Sequence, residues 1–243
     1  MSIAPPSVPH KSSDALLLRR AVLLGVGGFL ISGCSRTLGV EGLVDGFTTA
    51  TVPVRPSPNA DRGRAGSSVM YASLTDGGYT LPEIPYGRID PKYRRQIVTD
   101  PTGERPGTIV VRLQDRFLYF VLPDGKAIRY GVGVGEAGLS WAGRAVIQYK
   151  KAWPTWTPPP EMIERKPELA EFSGGMPGSL TNPLGARALY IYEGDQDTGY
   201  RVHGTPQWWT IGQGLSSGCV RMINQDVIDL HDRVAEKTVI VVG

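Results

Sequence analysis

From residue 106 to the C-terminus, apolar residues fall in short blocks separated by turn residues. Residues 108–113 (Thr-Ile-Val-Val-Arg-Leu) and 116–121 (Arg-Phe-Leu-Tyr-Phe-Val) are dense in β-branched and aromatic side chains and predict two strands. Gln114-Asp115 turns between them, and Pro123-Asp124-Gly125 marks the next turn. Residues 127–134 predict a third strand, and 144–149, 188–192, 200–203 and 238–242 predict further ones. One helix is expected over 225–234, with Asn224 as its N-cap and Val227, Leu230 and Val234 recurring at helical spacing. Residues 161–165 and 168–172 predict short helical turns on either side of Pro167. The expected class is mainly β: a β-sandwich or barrel-like domain with one C-terminal helix and short helical turns.

The N-terminal pattern is different. Arg19-Arg20 precede an apolar run over 21–31, eleven residues, too short to span a bilayer and of the length of a signal-peptide apolar region. The run ends in Ile31-Ser32-Gly33-Cys34, which resembles a bacterial lipobox and makes Cys34 the candidate for lipidation and the first mature residue. Residues 34–78 carry scattered Gly, Ser, Pro and Arg without periodicity and read as a flexible tether. In 79–105, Pro82, Pro85 and Pro91 interrupt any regular element, which makes this a transitional segment. The expected location is the cell envelope or periplasm, with a lipid anchor in a membrane.

Composition narrows the chemistry. The 31 glycines and 20 prolines fit a turn-rich β domain. The net charge of +3 includes +2 within residues 1–33 (Lys11, Arg19 and Arg20 against Asp14), and the remainder of the chain has no basic block, so nucleic acid is not an expected partner. Gly133-Val-Gly135-Glu-Ala-Gly138 fits G-x-G-x-x-G, but a proline run stands where a nucleotide fold needs its acidic residue. It reads as a glycine-rich strand and turn, and no cofactor is expected. His10, His203 and His231 are scattered and no cysteine pair exists, so no metal site is expected. No serine has a lysine three positions later, which excludes the S-x-x-K serine acyltransferases.

The remaining candidate is a thiol. Apart from Cys34, the lipidation candidate, Cys219 is the only cysteine in the sequence. In an oxidising compartment a structural cysteine is normally half of a disulfide, so a solitary one points to reactivity. It sits in Ser216-Ser217-Gly218-Cys219-Val220-Arg221, sixteen residues after His203 in Tyr200-Arg201-Val202-His203-Gly204-Thr205. His231 falls beside the apolar face of the predicted helix, where packing or a surface hydrogen bond suffices. His203 lies at a strand end before Gly204 and is the candidate base, and Gly204 offers the nearest carbonyl to orient its imidazole. The backbone N–H groups of Gly218 and Cys219 are candidates for an oxyanion site. Arg221 has three open roles: favouring the thiolate, gripping a substrate carboxylate, or bracing the loop.

These residues resemble the signature of L,D-transpeptidases with a YkuD-type catalytic domain, of the ErfK/YbiS/YcfS/YnhG group. The resemblance continues through Trp153-Pro-Thr-Trp156-Thr-Pro-Pro-Pro160, Gly174-Gly-Met-Pro-Gly178, Asn182-Pro-Leu-Gly-Ala-Arg187 and Ile211-Gly-Gln213, and covers roughly 80–243. It implies a catalytic domain over 106–243 with Cys219 as nucleophile, His203 as base and Gly204 as the orienting carbonyl. Many members have His directly before Gly-Cys; here Ser217 stands there, which leaves His203 as the single base. The implied partners are peptidoglycan stem peptides: Cys219 attacks the carbonyl of the third stem residue, D-alanine leaves, and an amine resolves the thioester into a 3→3 cross-link. An envelope protein as acyl acceptor, or a wall-binding lipoprotein without activity, are the competing readings. Trp156 and Trp208, in proline-rich or loop surroundings, are expected to line the substrate cleft.

Overall fold

The structure is a computed structural model that describes residues 66–135, 141–214 and 218–243. The predicted signal segment, Cys34, most of the predicted tether and Ser217 lie outside the described residues. In chain order the elements are α1 (Ser67–Met70), β1 (Leu74–Asp76), β2 (Tyr79–Leu81), β3 (Gln96–Thr99), β4 (Ile109–Arg112), β5 (Phe117–Val121), β6 (Lys126–Gly131), β7 (Gly133–Val134), β8 (Gly143–Ala152), α2 (Pro160–Arg165), β9 (Arg187–Glu193), β10 (Gln196–Thr205), β11 (Val220–Ile223), α3 (Asn224–Arg233) and β12 (Thr238–Val242). A 3-10 helix, Pro167–Phe172, follows α2.

β1 and β2 pair as a separate hairpin, and the other ten strands form one sheet in the order β3-β6-β5-β4-β12-β8-β9-β10-β11-β7. Two pairs are parallel, β10 with β11 and β12 with β4; the rest are antiparallel. Val132 alone separates β6, second in that order, from β7, the last. The sheet must therefore curl until its margins approach, and it wraps one continuous core that includes Ile109, Leu118, Ile147, Leu189, Met222 and Leu230. The mainly β, barrel-like expectation agrees with this architecture. The predicted turn at 123–125 closes β5 onto β6, with Asp124 and Gly125 both at positive φ (61° and 64°), the twist that a tight two-residue hairpin requires.

Several local expectations need correction. The third predicted strand is two: after Gly131 the chain leaves the β5–β6 pairing and Gly133–Val134 pairs antiparallel with β11. Asn224 does not cap α3; the N-cap is Ile223, without a side-chain cap, and Asn224 Oδ1 accepts the main-chain N–H of Ala186 at 2.9 Å. Apolar periodicity over 225–234 locates the helix but says nothing of β9, which competes for that amide. β11 carries no strand signal of its own, since only four residues separate Cys219 from the helix.

The last residues of the predicted tether, from Met70 to Asp76, contact the domain. Tyr71 is fully buried; its hydroxyl donates to Asp226 Oδ2 at 3.1 Å and accepts the N–H of Arg95 at 2.8 Å. Arg95, itself buried, pairs with Asp229 at 2.9 Å and lies 3.6 Å from Asp226. Tyr130 donates to Asp229 Oδ2 at 2.7 Å, and Arg233 forks onto both Asp229 oxygens at 2.9 Å. At the hairpin, Asp76 takes a fork from Arg187 at 2.7 and 2.8 Å and the indole N–H of Trp153 at 2.8 Å. The Arg187 hydrogen bonds hold the Asp76 carboxyl below the usual range against the opposing effect of its burial. Residues 71–95 are thus built into the fold through long-range polar contacts that carry no periodic signature.

Candidate active site

The site rests on β9, β10 and β11. In the parallel pair, Val202 sits opposite Val220 and His203 opposite Arg221. Val202, Val220 and Met222 all enter the core. Strand alternation therefore turns Arg201, His203 and Arg221 to the other face, with Cys219 in phase one step before β11. All four line one cleft of about 970 Å³. Its opposite wall comes from residues 155–169 and 181–184, including Trp156, Arg165, Lys166 and Glu168.

The crossover from β10 to β11 positions the thiol. A parallel return needs a long connection, and this one is fastened to the sheet: Gly212 N–H donates to Val132 O at 3.0 Å, and Val134 N–H to Gln213 O at 3.2 Å. Gly133 leaves room for the Thr210 carbonyl, which a Cβ there would strike at 2.8 Å. Gly218 takes φ of 131°, a conformation L-residues rarely adopt, immediately before Cys219. Gly204 is required for another reason: a Cβ there would collide with Asn224 Oδ1 and press on Val227.

His203 is buried, and its Nδ1 lies 2.6 Å from Gly204 O. A carbonyl only accepts, so Nδ1 carries the proton and the neutral ring keeps Nε2 as its basic nitrogen. Burial, against that hydrogen bond and aided by the charges of Arg221 and Arg201, lowers the His203 pKa from 6.5 to about 4. Burial pushes the Cys219 thiol up, while a main-chain hydrogen bond from Arg201 and the two arginine charges oppose it. Both shifts favour the uncharged forms. At neutral pH the resting pair is thiol and neutral imidazole, an arrangement that transfers its proton as the sulfur attacks.

The structure brings together Cys219, His203, Gly204, Gly218, Arg221 and Trp156, but not Trp208. Trp156 lines the cleft, and its main chain bridges Met176 in both directions at 2.9 and 2.7 Å, joining two segments of the wall. Trp208, expected in the cleft, packs instead with Met70, Tyr71, Ile84, Ile89, Ile211 and Ile223, and Arg88 lies 5.4 Å from its ring. The N-terminal segment that covers it could not be foreseen from the loop sequence. His231 lies on α3 outside the cleft, 3.5 Å from Asp232. Ser217 and residues 136–138 of the glycine-rich motif lie outside the described residues. Sequence reasoning missed Arg201 and Tyr190. Arg201 is two positions before His203, so strand period alone would have put it on the same face. Among the described residues no group of His, Cys, Asp and Glu has metal-site geometry, and no helix is long and apolar enough to cross a membrane.

The family model for the YkuD L,D-transpeptidase catalytic domain matches residues 106–242, more than half of the chain, and the protein belongs to that family. The probable L,D-transpeptidase ErfK/SrfK of Escherichia coli K12 is 34% identical over 143 residues, 55% of this chain and 43% of that protein. The probable L,D-transpeptidase YcfS of the same strain is 32% identical over 145 residues, 57% of this chain and 44% of that protein. The match thus spans less than half the length of these curated relatives. A solved structure described as a probable carnitine operon oxidoreductase from Brucella melitensis is 52% identical over 63% of this chain and 96% of its own, with a TM-score of 0.45, too low for a comparison of folds.

Proposed function

We propose that this protein is a peptidoglycan L,D-transpeptidase that works through a Cys219 thioester. The observation that carries the reading is the cleft floor, where a thiol and a neutral imidazole whose Nδ1–H is held by Gly204 face the same space inside the family's catalytic domain. Cys219 gives its proton to His203 Nε2 as the sulfur attacks the carbonyl carbon of the third stem residue. The oxyanion that forms is met by the N–H groups of Gly218 and Cys219. The C–N bond breaks, the departing D-alanine takes the proton from the imidazolium, and a thioester remains. An amine from a second stem then attacks the thioester, gives its proton to His203, and the sulfur leaves and recovers it. The product is a 3→3 cross-link.

Export and anchoring belong to the same reading. The Arg pair, the short apolar run and the lipobox-like residues before Cys34 support secretion and acylation there, which would place the cleft at the cell envelope beside its substrate. Labelled palmitate recovered in wild type and lost in Cys34→Ala is the expected result.

The test of the reaction incubates the full chain with disaccharide-tetrapeptides and follows D-alanine release, the acyl-enzyme mass and cross-linked dimer. Cys219→Ala should lose all three. Dimer formed by Cys219→Ala would overturn the mechanism. A wild-type adduct without dimer would move the acceptor to water or to a protein amine.

A further inference from the structure

Two arginines flank the thiol, and their surroundings differ. Arg201 meets Asp197 in a two-pronged pair, Nη1 to Oδ1 and Nη2 to Oδ2 at 2.7 Å each, and its guanidinium lies 4.4 Å from the Tyr190 ring centre. Its charge is answered within the protein. Arg221 has no hydrogen-bond or ion-pair partner among the described residues. It is half-buried, and that desolvation lowers its pKa. A cation withdrawn from water without a counter-charge is unfavourable, and a fold that keeps one in a cleft has built a receptor for an anion. The planar guanidinium suits a carboxylate, which it can grip with two parallel hydrogen bonds.

The position selects the anion. Arg221 follows Cys219 by two residues and stands opposite His203 in the strand register, so it sits beside the atoms that react. A carboxylate bound there lies close to the scissile carbonyl. In a peptide donor cut one residue from its end, the nearest such group is the terminal carboxylate of the residue that departs. Arg165 and Lys166 also line the cleft, but they belong to the 155–169 segment and not to the strands that carry His203 and lead from Cys219.

We infer that Arg221 binds the terminal carboxylate of the departing residue, so that the cleft selects donors ending one residue beyond the scissile carbonyl and carrying a free C-terminal acid. The inference rests on the acyl-transfer reading above. It makes Arg221 a specificity determinant, not a brace for its loop.

The test compares two donors with the same scissile bond: a tetrapeptide stem ending in D-alanine and the same stem ending in D-alaninamide. Release of D-alanine or D-alaninamide and the acyl-enzyme mass are measured for the full-length wild type, Arg221→Met and Arg221→Lys. Wild type should prefer the acid by about tenfold or more, the worth of a charged hydrogen-bonded pair. Arg221→Met should bring the ratio near one, and Arg221→Lys should restore part of it, because a point charge replaces the fork. A wild-type ratio near one overturns the inference, as does an Arg221→Met enzyme that loses both donors equally, the pattern of a bracing or oxyanion role. Wild type that acylates from neither donor overturns the acyl-transfer reading itself. Should Arg221→Met not fold, judged by its thermal melt, the ratio in Arg221→Lys decides: retention of the full wild-type preference together with a general loss of rate would count against carboxylate recognition.

Discussion

Two regions among the described residues draw ionisable side chains out of water, and they treat them in different ways. Beneath α3, Arg95, Arg233, Asp226, Asp229, Tyr71 and Tyr130 answer one another. At the cleft, His203 and Cys219 are driven toward their neutral forms and Arg221 has no acidic partner among the described residues. The first arrangement sets acids against bases and joins Tyr71 and Arg95 to the helix, although Arg95 Nε and Nη1 and Asp226 Oδ1 fall outside hydrogen-bond geometry and burial raises the Asp226 carboxyl to about 7. The second lines a cleft that a substrate can enter. What separates the two regions is access: one faces the interior beneath α3, the other faces open space.

The largest expected effects break the open side. Cys219→Ala should show no D-alanine release above the uncatalysed background. His203→Ala should lower the rate of acyl-enzyme formation by about 10²–10⁴-fold with the melting temperature little changed, as followed by mass spectrometry under single-turnover conditions. A fall of only a fewfold would remove His203 from the proton path.

The closed side should respond in stability and not in chemistry. Arg95→Met leaves Asp229 with Arg233 alone and takes from Asp226 the cation beside it, and should cost about 3–5 kcal/mol in urea unfolding while the folded enzyme keeps its turnover. Tyr71→Phe removes one hydroxyl that both donates and accepts, at a cost of about 1–3 kcal/mol. If either variant lowered turnover without lowering stability, the division between the two regions would be wrong.

The smallest effects sharpen the comparison through pH. The folded His203 pKa of about 4 lies below its ordinary 6.5, so between those values the unfolded chain binds a proton that the native site does not. Stability from this group is complete above about pH 6.5 and is lost as pH falls toward 4; His203→Gln should flatten that stretch of the melting-temperature profile. The acid limb of kcat/KM should likewise lie near 4. Arg221→Met should move the limb upward, since the Arg221 charge helps depress the imidazole. A limb near 6.5 in wild type would mean that His203 is solvated when it works.

Much of the molecule is legible in its sequence. The blocks of β4, β5, β6, β8, β9, β10 and β12 announce themselves through β-branched and aromatic runs, and the helix through its apolar spacing, while β7 and β11 do not. Cys219 and His203 stand out by elimination and by the family's motif. The rest depends on contacts between distant residues. Asn224 looks like a cap in the sequence, yet it serves the Ala186 amide in the turn just before β9. Tyr71 lies in a stretch that reads as a tether because a single buried hydroxyl leaves no period to detect. The place of Trp208 in the crossover suggests the cleft, while the segment that covers it comes from more than a hundred residues earlier.

The single residue between β6 and β7 also bears on how the site survives stress. β7, last in the hydrogen-bonding order, pairs with the strand that begins just after the thiol, and Gly133 and Val134 are both buried. Through Val132 that strand is covalently tied to the opposite margin of the sheet. Pulling β11 outward would strain the far wall as well, so the structure behaves as a hoop under tension. Among the described residues, β7 pairs with β11 on one side and its Val134 N–H with Gln213 O of the crossover on the other, which closes this flank around the cleft that Cys219 and His203 share.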